Sequence, residues 1–247
     1  MPRFFVSAED ISDNTARIIS DDARHIARSL RMAVGDSVIL CDGLGTEYTA
    51  RLTKIRDEEC VCDIISREVS QAEPEIELTL FMAYPKGDKL EVVTQKAVEL
   101  GVSHIIPFES SRCIKRPSGD KEQKNLARLS RIADEAAKQC GRARLTKVHG
   151  TMDFDTLVSS VGNYGRVLFC YECAGEDESL KRVLREIDSD TTKSIAVIIG
   201  SEGGFSEKEA SMLVSHGAIP VSLGKRILRC ETAPIFILSA ISYQYEL

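Results

Sequence analysis

Two glycine-bearing segments near the end of the chain carry residue types suited to binding a small molecule and to group transfer. The first, residues 200–204 (GSEGG), follows an apolar, β-branched run, and the second spans residues 223–234. Glycine has no Cβ and tolerates positive φ, so backbone amides in such turns can approach a flat ligand closely. The second segment also carries charged side chains, namely Lys225, Arg226, Arg229 and Glu231. Together the segments predict a small-molecule pocket beside a polar reaction centre.

The two segments lack the common phosphate-binding signatures. Neither contains GxxxxGK[ST] or GxGxxG, and the carboxylate of Glu202 inside the first turn would repel a phosphate. A ligand with a ribose diol and a positive centre suits that carboxylate better than a dinucleotide or a nucleoside triphosphate. The alternative, that these glycines only form tight strand-to-helix turns, stays open from the two segments alone.

The histidines and cysteines show no recognisable metal-binding or nucleophile pattern. The four histidines have no HExxH spacing, and no serine lies in a GxSxG elbow. The eight cysteines are scattered, and the CxxC pair of Cys170 and Cys173 lacks a second pair at zinc-finger distance. We therefore expect reduced thiols and no bound metal.

Charge is distributed unevenly along a chain whose net charge is −6. Residues 112–147 contain eleven Lys or Arg against four Asp or Glu, and a second basic group comprises Arg24, His25, Arg28 and Arg31. Most such runs are solvated helix faces, but two separated basic groups on an acidic protein favour targeted contact with RNA or DNA. Because neither a signal core nor an apolar run of spanning length is present, we expect a soluble, cytoplasmic protein without membrane contact.

The first 70 residues predict a small, mostly β domain. Short strand patterns are separated by turn signals, and Tyr48, Ala50 and Leu52 alternate with polar neighbours as in a half-buried strand. The predicted strands are residues 3–6, 15–19, 37–41, 47–55 and 60–69. With one helix over residues 21–32, this pattern is typical of a small β-barrel.

A polar linker over residues 70–75 precedes a different pattern, in which strands and helices alternate. Such alternation predicts an α/β domain with a mostly parallel sheet, so we divide the chain into domains 1–72 and 73–247. The predicted strands are residues 76–83, 102–108, 167–171, 195–199 and 220–223, and the predicted helices are 88–100, 121–140, 180–187, one after Ser206 and one containing Pro234.

The helix after the first glycine turn has a clear start signal. Ser206 and Glu209 form a capping box, Ala210, Leu213 and Val214 supply an apolar face, and a glycine follows at 217. In open α/β sheets, ligands bind beyond the carboxyl ends of the strands. The turns near residues 171, 200 and 224 are therefore expected to converge on one crevice.

Five ordered blocks of the sequence resemble the RsmE family of ribosomal RNA methyltransferases, which belongs to the SPOUT superfamily. The blocks are residues 25–31 (HIARSLR) with 35–36 (GD), 85–89 (PKGDK) with 95–102 (QKAVELGV), 135–142 (EAAKQCGR), 198–205 (IIGSEGGF) and 223–234 (LGKRILRCETAP). The resemblance covers nearly the whole chain. The order and spacing of the five blocks indicate the family far more specifically than either glycine turn does alone.

The resemblance implies an architecture and a reaction. It implies a PUA-like β-barrel that binds RNA, followed by a SPOUT domain with a mostly parallel sheet, a C-terminal trefoil knot and a homodimeric state. The implied cofactor is S-adenosylmethionine. The implied reaction is methylation of N3 of one uridine in 16S ribosomal RNA, either free or in the assembled small subunit.

The resemblance also assigns site residues. The expected cofactor-binding residues are Leu168, Cys170, Tyr171, Glu172, Gly200, Ser201, Glu202, Gly203, Gly204, Leu223, Gly224, Ile227 and Leu228. Within that set, Glu202 is expected to suit the ribose or the sulfonium. The expected RNA contacts are Arg3, Arg24, His25, Arg28, Arg31, Lys86, Lys89 and Arg142.

The expected catalytic residues are Arg229, Glu231 and Thr232. Arg229 would stabilise a developing uridinate, as oxyanion donors do. Glu231 would have a structural or general-base role, and Thr232 would position the substrate. The alternative is that Glu231 and Thr232 only cap the last helix.

The sequence leaves two alternative functions open. One is a different SPOUT reaction, methylating a ribose 2′-oxygen or a guanine of transfer RNA. The other is a non-catalytic, RNA-binding ribosome assembly factor. The N-terminal barrel and residues 228–232 (LRCET) weigh against the first, and the intact glycine turns weigh against the second.

Overall fold

The computed structural model describes residues 1–113, 119–175 and 178–247, and its first sheet contains five strands. These strands are β1 (Arg3–Phe5), β2 (Thr15–Ile19), β3 (Ser37–Cys41), β4 (Thr46–Ile55) and β5 (Glu59–Val69). The sheet is curled and has the order β1-β3-β4-β5-β2, with β1 parallel to β3 and antiparallel pairing elsewhere. All five predicted strands are confirmed. The edge strands β1 and β2 do not pair with each other in the described residues, so the sheet is a half-barrel.

The helix predicted over residues 21–32 is shorter and irregular. An α-helix, α1 (Ser20–Arg24), continues as one π-helical turn over His25–Ser29. The amide of Leu30 donates to the carbonyl of His25, which closes this wider turn, and Arg31 then has a φ of 51°. That left-handed residue ends the helix before Met32. Ala23 and Ile26 are buried in the core of the sheet.

In the described ranges the second sheet has seven strands, and every pairing in it is parallel. Its strands are β6 (Glu77–Ala83), β7 (His104–Glu109), β8 (Lys147–Val148), β9 (Met152–Asp153), β10 (Arg166–Cys170), β11 (Ser194–Ile199) and β12 (Ile219–Val221). The order is β12-β10-β11-β6-β7-β8, and β9 also pairs with β7. The β-branched strand β11 lies between two neighbours and is buried along nearly its whole length, as its composition predicts. The mixed α/β class with a parallel sheet is confirmed.

Six further helices accompany this sheet in the described residues. They are α2 (Lys89–Glu99), α3 (Asp120–Cys140), α4 (Phe154–Ser160), α5 (Leu180–Glu186), α6 (Glu207–Ser215) and α7 (Thr232–Tyr245). The sequence analysis missed α4 and the two-residue strands β8 and β9. Elements this short show too few residues to establish a hydrophobic period.

The capping box at the start of α6 is confirmed and has a second function. Ser206 and Glu209 exchange the expected side-chain and backbone hydrogen bonds. The other carboxylate oxygen of Glu209 accepts a hydrogen bond from the amide of Ser111 at 2.7 Å, which anchors α6 to the segment after β7. The predicted apolar face is wrong at one position, because the Val214 side chain is exposed whereas Ala210 and Leu213 are buried.

Tertiary contacts divide the chain into two units. The first contains residues 1–73 and 137–145, and the second contains residues 74–136 and 146–247. Within the first unit, the carboxylate of Glu73 accepts hydrogen bonds from the Arg142 side chain and from the amides of Ala143 and Arg144. This cluster explains why residues 137–145, which the sequence analysis placed in the second domain, group with the first unit. In the part of the chain that the structure describes, none of the helices is long and apolar enough to cross a membrane.

Candidate functional site

The second unit contains a pocket of about 510 Å³ beyond the carboxyl ends of β10, β11 and β12. Three loops form it, and they follow Cys170, Ile199 and Val221. The predicted convergence of the three turns is therefore confirmed. The volume lies in the range of roughly 300–1,000 Å³ that is usual for small-molecule sites. Its side chains combine apolar residues such as Phe205 with the charged residues of the third loop.

The turn after β11 is tight because its glycines contact backbone and side chains closely. The amide of Gly204, at a φ of 64°, donates to the carbonyl of Ser201 at 2.9 Å. A Cβ on Gly200 would lie 3.0 Å from the backbone of Gly204. The Arg112 side chain packs against Gly203 and donates to its carbonyl at 2.6 Å. Close packing therefore favours glycine at 200 and 203, whereas the left-handed φ favours glycine at 204.

Glu202 points toward two lysines at the beginning of α2. One of its oxygens accepts hydrogen bonds from Lys89 Nζ at 2.9 Å and from the backbone amide of Lys86 at 3.0 Å. Burial opposes ionisation of Glu202, but the hydrogen bond from Lys89 and its positive charge hold the carboxyl pKa below its ordinary value. Glu202 also lines the pocket, so the expectation that it suits the ribose or the sulfonium stays a prediction.

Sheet order explains this contact. Strand β6 pairs with β11 in parallel, with Met82 opposite Ile199. Because parallel neighbours end at the same edge, the segment after β6 and the turn after β11 emerge side by side. That segment carries Lys86 and Lys89, and Lys89 lines the pocket. The expected RNA contact of Lys89 stays a prediction.

Glu231 belongs to the same ionic cluster. Its carboxylate lies 3.3 Å from Lys89 Nζ and accepts a hydrogen bond from Cys230 Sγ at 3.3 Å. Partial burial opposes ionisation, but hydrogen bonds from its own backbone, from Cys230 and from Lys89 leave its pKa below the ordinary value. Burial raises the pKa of the Cys230 thiol to about 12, so the thiol stays protonated at neutral pH. A carboxylate with a lowered pKa is a weak base, which disfavours the general-base role for Glu231.

Arg229 lies at the pocket with its side chain exposed. Among the described residues, none forms a hydrogen bond or ion pair with its guanidinium. Its carbonyl accepts hydrogen bonds from the amides of Thr232 and Ala233 at 2.8 and 2.9 Å, and these bonds begin α7.

Within the described chain Glu231 makes no side-chain cap hydrogen bond, so the capping alternative fails for this residue. Thr232 is exposed at the first position of α7, and neither it nor Glu231 lines the pocket.

Most residues expected to bind the cofactor line this one pocket. They are Cys170, Tyr171, Glu172, Gly200, Ser201, Glu202, Gly204, Leu223, Gly224, Ile227 and Leu228. Leu168 instead lies fully buried within β10, and Gly203 packs against Arg112 outside the lining. The sequence analysis did not assign a further group of lining residues to the pocket, comprising Lys89, Ile199, Phe205, Val221, Ser222, Lys225, Arg226, Cys230 and Ala233. All except Lys89 adjoin assigned residues, so extending each loop along the chain would have found them.

Two arginines expected to contact RNA are held inside the first unit. Arg3 donates to Cys41 Sγ at 3.0 Å and pairs with Glu47, and its side chain is largely buried. Arg142 forms a 2.9 Å ion pair with Glu73, with side-chain exposures of only 4% and 9%. In these arrangements neither guanidinium is available to a phosphate, so both expectations need correction.

The other expected RNA contacts are exposed but differ in their pairing. Arg24 pairs with Asp21 at 2.7 Å, and Arg28 pairs with Asp57. His25, Arg31 and the Lys86 side chain are exposed and have no ion-pair partner within the described residues. Residues 1–113, 119–175 and 178–247 contain no group of three or more His, Cys, Asp or Glu that could hold a metal ion.

Two family models match the chain. One, described as an RNA methyltransferase domain, matches residues 72–242, and the other, described as an RNA methyltransferase PUA domain, matches residues 18–65. Among curated proteins, the chain is 32% identical to the ribosomal RNA small subunit methyltransferase E of Bacillus subtilis, over 100% of this chain and 98% of that protein. It is 33% identical to the protein of the same name from Mesomycoplasma hyopneumoniae, over 97% of this chain and 98% of that protein.

Solved structures show the same similarity. A ribosomal RNA small subunit methyltransferase E from Neisseria gonorrhoeae, bound to S-adenosyl methionine, has a TM-score of 0.85 and 29% identity over 99% of this chain and 98% of its own. A putative methyltransferase from Legionella pneumophila, in complex with the bound cofactor SAM, has a TM-score of 0.83 and 28% identity over 98% of this chain and 96% of its own.

Proposed function

Because the chain belongs to the ribosomal RNA small subunit methyltransferase E family, we propose that it methylates N3 of one uridine in 16S ribosomal RNA with S-adenosylmethionine. The observation that carries this proposal is the convergence of three strand-end loops on one pocket beside an exposed arginine. No part of it requires a metal ion.

The pocket fits the cofactor in volume and in chemistry. A cavity of about 510 Å³ can enclose an adenine, a ribose and an amino-acid tail. The close approach between Gly200 and Gly204 keeps this wall free of side chains, and the loops at residues 170–172 and 223–228 supply apolar contacts and backbone amides. When bound, the cofactor supplies a methyl group activated by a sulfonium.

Arg229 provides the electrostatic contribution to the reaction in this proposal. Uridine N3 must first lose its proton, which in this proposal goes to solvent, and this loss places negative charge on O2 and O4. N3 then forms its bond to the methyl carbon as the bond between that carbon and sulfur breaks. The guanidinium of Arg229 is exposed at the pocket, so it can stabilise that charge without first breaking an ion pair. Since Glu231 is held ionised by Lys89, we assign it a structural role, and we keep Thr232 as a positioning residue.

The first unit is proposed to bring the RNA. We propose that residues 1–72, built on the half-barrel sheet, form a PUA-like RNA-binding domain of the β-barrel class, and that residues 73–247 form the SPOUT methyltransferase domain. The exposed His25 and Arg31, with Arg24 and Arg28 beside them, supply positive charge for phosphates. In the second unit, the exposed Lys86 supplies positive charge next to Glu202, a pocket residue of the same unit.

Three further features are part of the proposal: a C-terminal trefoil knot, a homodimer and a cytoplasmic location. The knot and the dimer follow from membership of the family. An exposed apolar face on α7, with Phe236 45% and Tyr243 74% exposed, supports a homodimer because such side chains are normally covered in an assembly. The cytoplasmic location follows from the proposed ribosomal RNA substrate.

One experiment tests the reaction and its rivals. Nucleosides of ribosomal and transfer RNA from cells with and without the gene are compared by mass spectrometry, and the purified protein is titrated with S-adenosylmethionine by calorimetry. We expect 3-methyluridine of 16S RNA to disappear in the deletion strain and to return when purified protein is incubated with cofactor and either free 16S RNA or assembled small subunits.

Loss of a methylated ribose or guanine in transfer RNA instead would indicate the alternative SPOUT reaction. Absence of cofactor binding would indicate the non-catalytic assembly factor. The comparison of free RNA with assembled subunits identifies the form of the substrate.

A further inference from the structure

One lysine joins three segments of the candidate site. Lys89 is the first residue of α2, and its Nζ lies 2.9 Å from Glu202, 3.3 Å from Glu231 and 3.8 Å from Cys230 Sγ. An ammonium has three N–H donors, so these contacts use all of them. The partners lie on the glycine turn and on the segment that carries Arg229. Lys89 therefore links both pocket walls to α2.

The backbone before α2 is shaped for this contact. Gly87 has a φ of 64° with no atom near the position of a Cβ, so its left-handed conformation is the reason for glycine there. This turn allows the Lys86 amide and the Lys89 ammonium to reach the same oxygen of Glu202. Two donors from one short segment therefore fix the orientation of that carboxylate.

Glu231 is held by Lys89 and by one neighbouring thiol. Within the described residues, Glu231 accepts side-chain hydrogen bonds only from Lys89 and Cys230, and it does not cap α7. It lies two residues after Arg229, whose carbonyl accepts the first amides of α7. Fixing Glu231 therefore fixes the backbone from which Arg229 projects.

We propose that Lys89 is a positioning residue for methyl transfer: by holding Glu202 and Glu231 together, it sets the orientation of Arg229 relative to the glycine wall of the pocket. This inference rests on the proposed function and adds to it a residue that the sequence analysis assigned to RNA. The hydrogen bond to Glu202 raises the pKa of Lys89, in agreement with a permanently charged link. Without the positive charge of Lys89, the carboxylates of Glu202 and Glu231 would repel each other.

The test compares three purified full-length variants with the wild type. Lys89→Met keeps the length of the side chain without its charge, and Lys89→Arg keeps the charge. Lys96→Met removes another lysine of α2, whose ion pair with Glu99 is local, and so controls for general effects on the helix. Thermal unfolding verifies that each variant is folded.

The first measurement does not depend on activity. Hydrogen exchange is followed at the Thr232 and Ala233 amides, which bond to the Arg229 carbonyl. In Lys89→Met we expect these amides to exchange about tenfold faster than in the wild type, because the start of α7 is released. Lys89→Arg and Lys96→Met should exchange at the wild-type rate.

The second measurement is the single-turnover rate of methyl transfer to small subunits at saturating cofactor. We expect Lys89→Met to lower this rate about 30-fold, since a displaced catalytic group loses rate steeply, while the cofactor Kd changes less than about threefold. Lys89→Arg should recover most of the rate. A merely structural role would instead weaken cofactor binding and rate together.

The outcomes separate this inference from the proposed function. Unchanged exchange or an unchanged single-turnover rate in Lys89→Met overturns the positioning role, as does an equal effect of Lys96→Met. A wild-type protein that binds cofactor but methylates no ribosomal RNA refutes the proposed function instead, and the exchange measurement then decides the role of Lys89.

Discussion

Two arginines of the first unit and one arginine of the second unit have opposite environments. In the first unit, Arg142 is buried and paired with Glu73, and Arg3 is bound to Glu47. In the second unit, Arg229 is exposed at the pocket and has no pairing partner among the described residues. All three are arginines for which the sequence analysis expected a role in RNA binding or catalysis. The comparison teaches that pairing with a nearby carboxylate decides whether a cation supports the fold or faces a substrate.

The largest expected effect comes from removing the unpaired arginine. Arg229→Ala should lower the rate of methyl transfer roughly 100- to 1,000-fold, as the loss of an oxyanion donor does, while cofactor affinity stays within about threefold. Stability should not change, because the side chain is exposed. Single-turnover kinetics, calorimetry and thermal unfolding check the three parts. Retained turnover in Arg229→Ala would remove the distinction between the two units.

The next effect concerns the buried pair. Arg142→Ala should lower the free energy of unfolding by roughly 3 kcal/mol, because it leaves the Glu73 carboxylate buried without its partner. Arg131→Ala removes an exposed i,i+4 pair and should change stability by less than about 0.5 kcal/mol. Urea denaturation measures both. If Arg142→Ala were as stable as the wild type but bound RNA less tightly, the original RNA assignment would be right.

A smaller effect tests the glycine wall of the pocket. Gly200→Ala places a Cβ 3.0 Å from the backbone of Gly204, so the turn must shift, and we expect cofactor affinity to fall about tenfold. Gly162→Ala is the matched control, since no atom lies near its Cβ position and its φ is ordinary. Calorimetry with S-adenosylmethionine compares them. Equal affinities would show that the turn tolerates the shift.

The smallest effect sharpens the comparison within the first unit. Arg28 is paired with Asp57, whereas Arg31 is exposed with no ion pair in the described chain. Arg31→Glu should therefore weaken RNA binding severalfold more than Arg28→Glu does, and should reduce the salt slope of binding by about 1 for a lost phosphate contact. RNA binding is measured as a function of salt concentration, and cofactor affinity is the control. An equal effect of both variants would contradict the dependence on pairing.

Local sequence signals predicted most secondary structure. The five strands of the first sheet, the parallel sheet and the capping box of Ser206 and Glu209 all followed from patterns within a few residues. The helix over residues 21–32 did not, because its end depends on the left-handed Arg31, which no residue preference indicates. The prediction that Val214 lies on the apolar face of α6 was wrong for a related reason. Packing of the neighbouring elements decides how wide the buried apolar stripe of a helix is.

The parts of the site that are continuous in sequence were predictable. The glycine turns and the segment up to Leu228 were found because each is continuous in sequence and follows a strand. Leu168 was assigned to the pocket although it is fully buried within β10. A strand pattern does not show which residues at the end of the strand reach a bound ligand. Lys89 could not be placed, because its partners are remote in sequence.

The sequence by itself determined the order of strands and helices, the glycines that the turn after β11 requires, and the blocks that identify the family. Only the tertiary structure decided which charges are paired. The reason is register: β6 lies beside β11 in a parallel sheet, so the lysine segment after one strand meets Glu202 after the other. In the same way, Arg142 is neutralised because folding brings residues 137–145 to Glu73. Local preferences set the elements, whereas contacts between remote residues set the charge of the site.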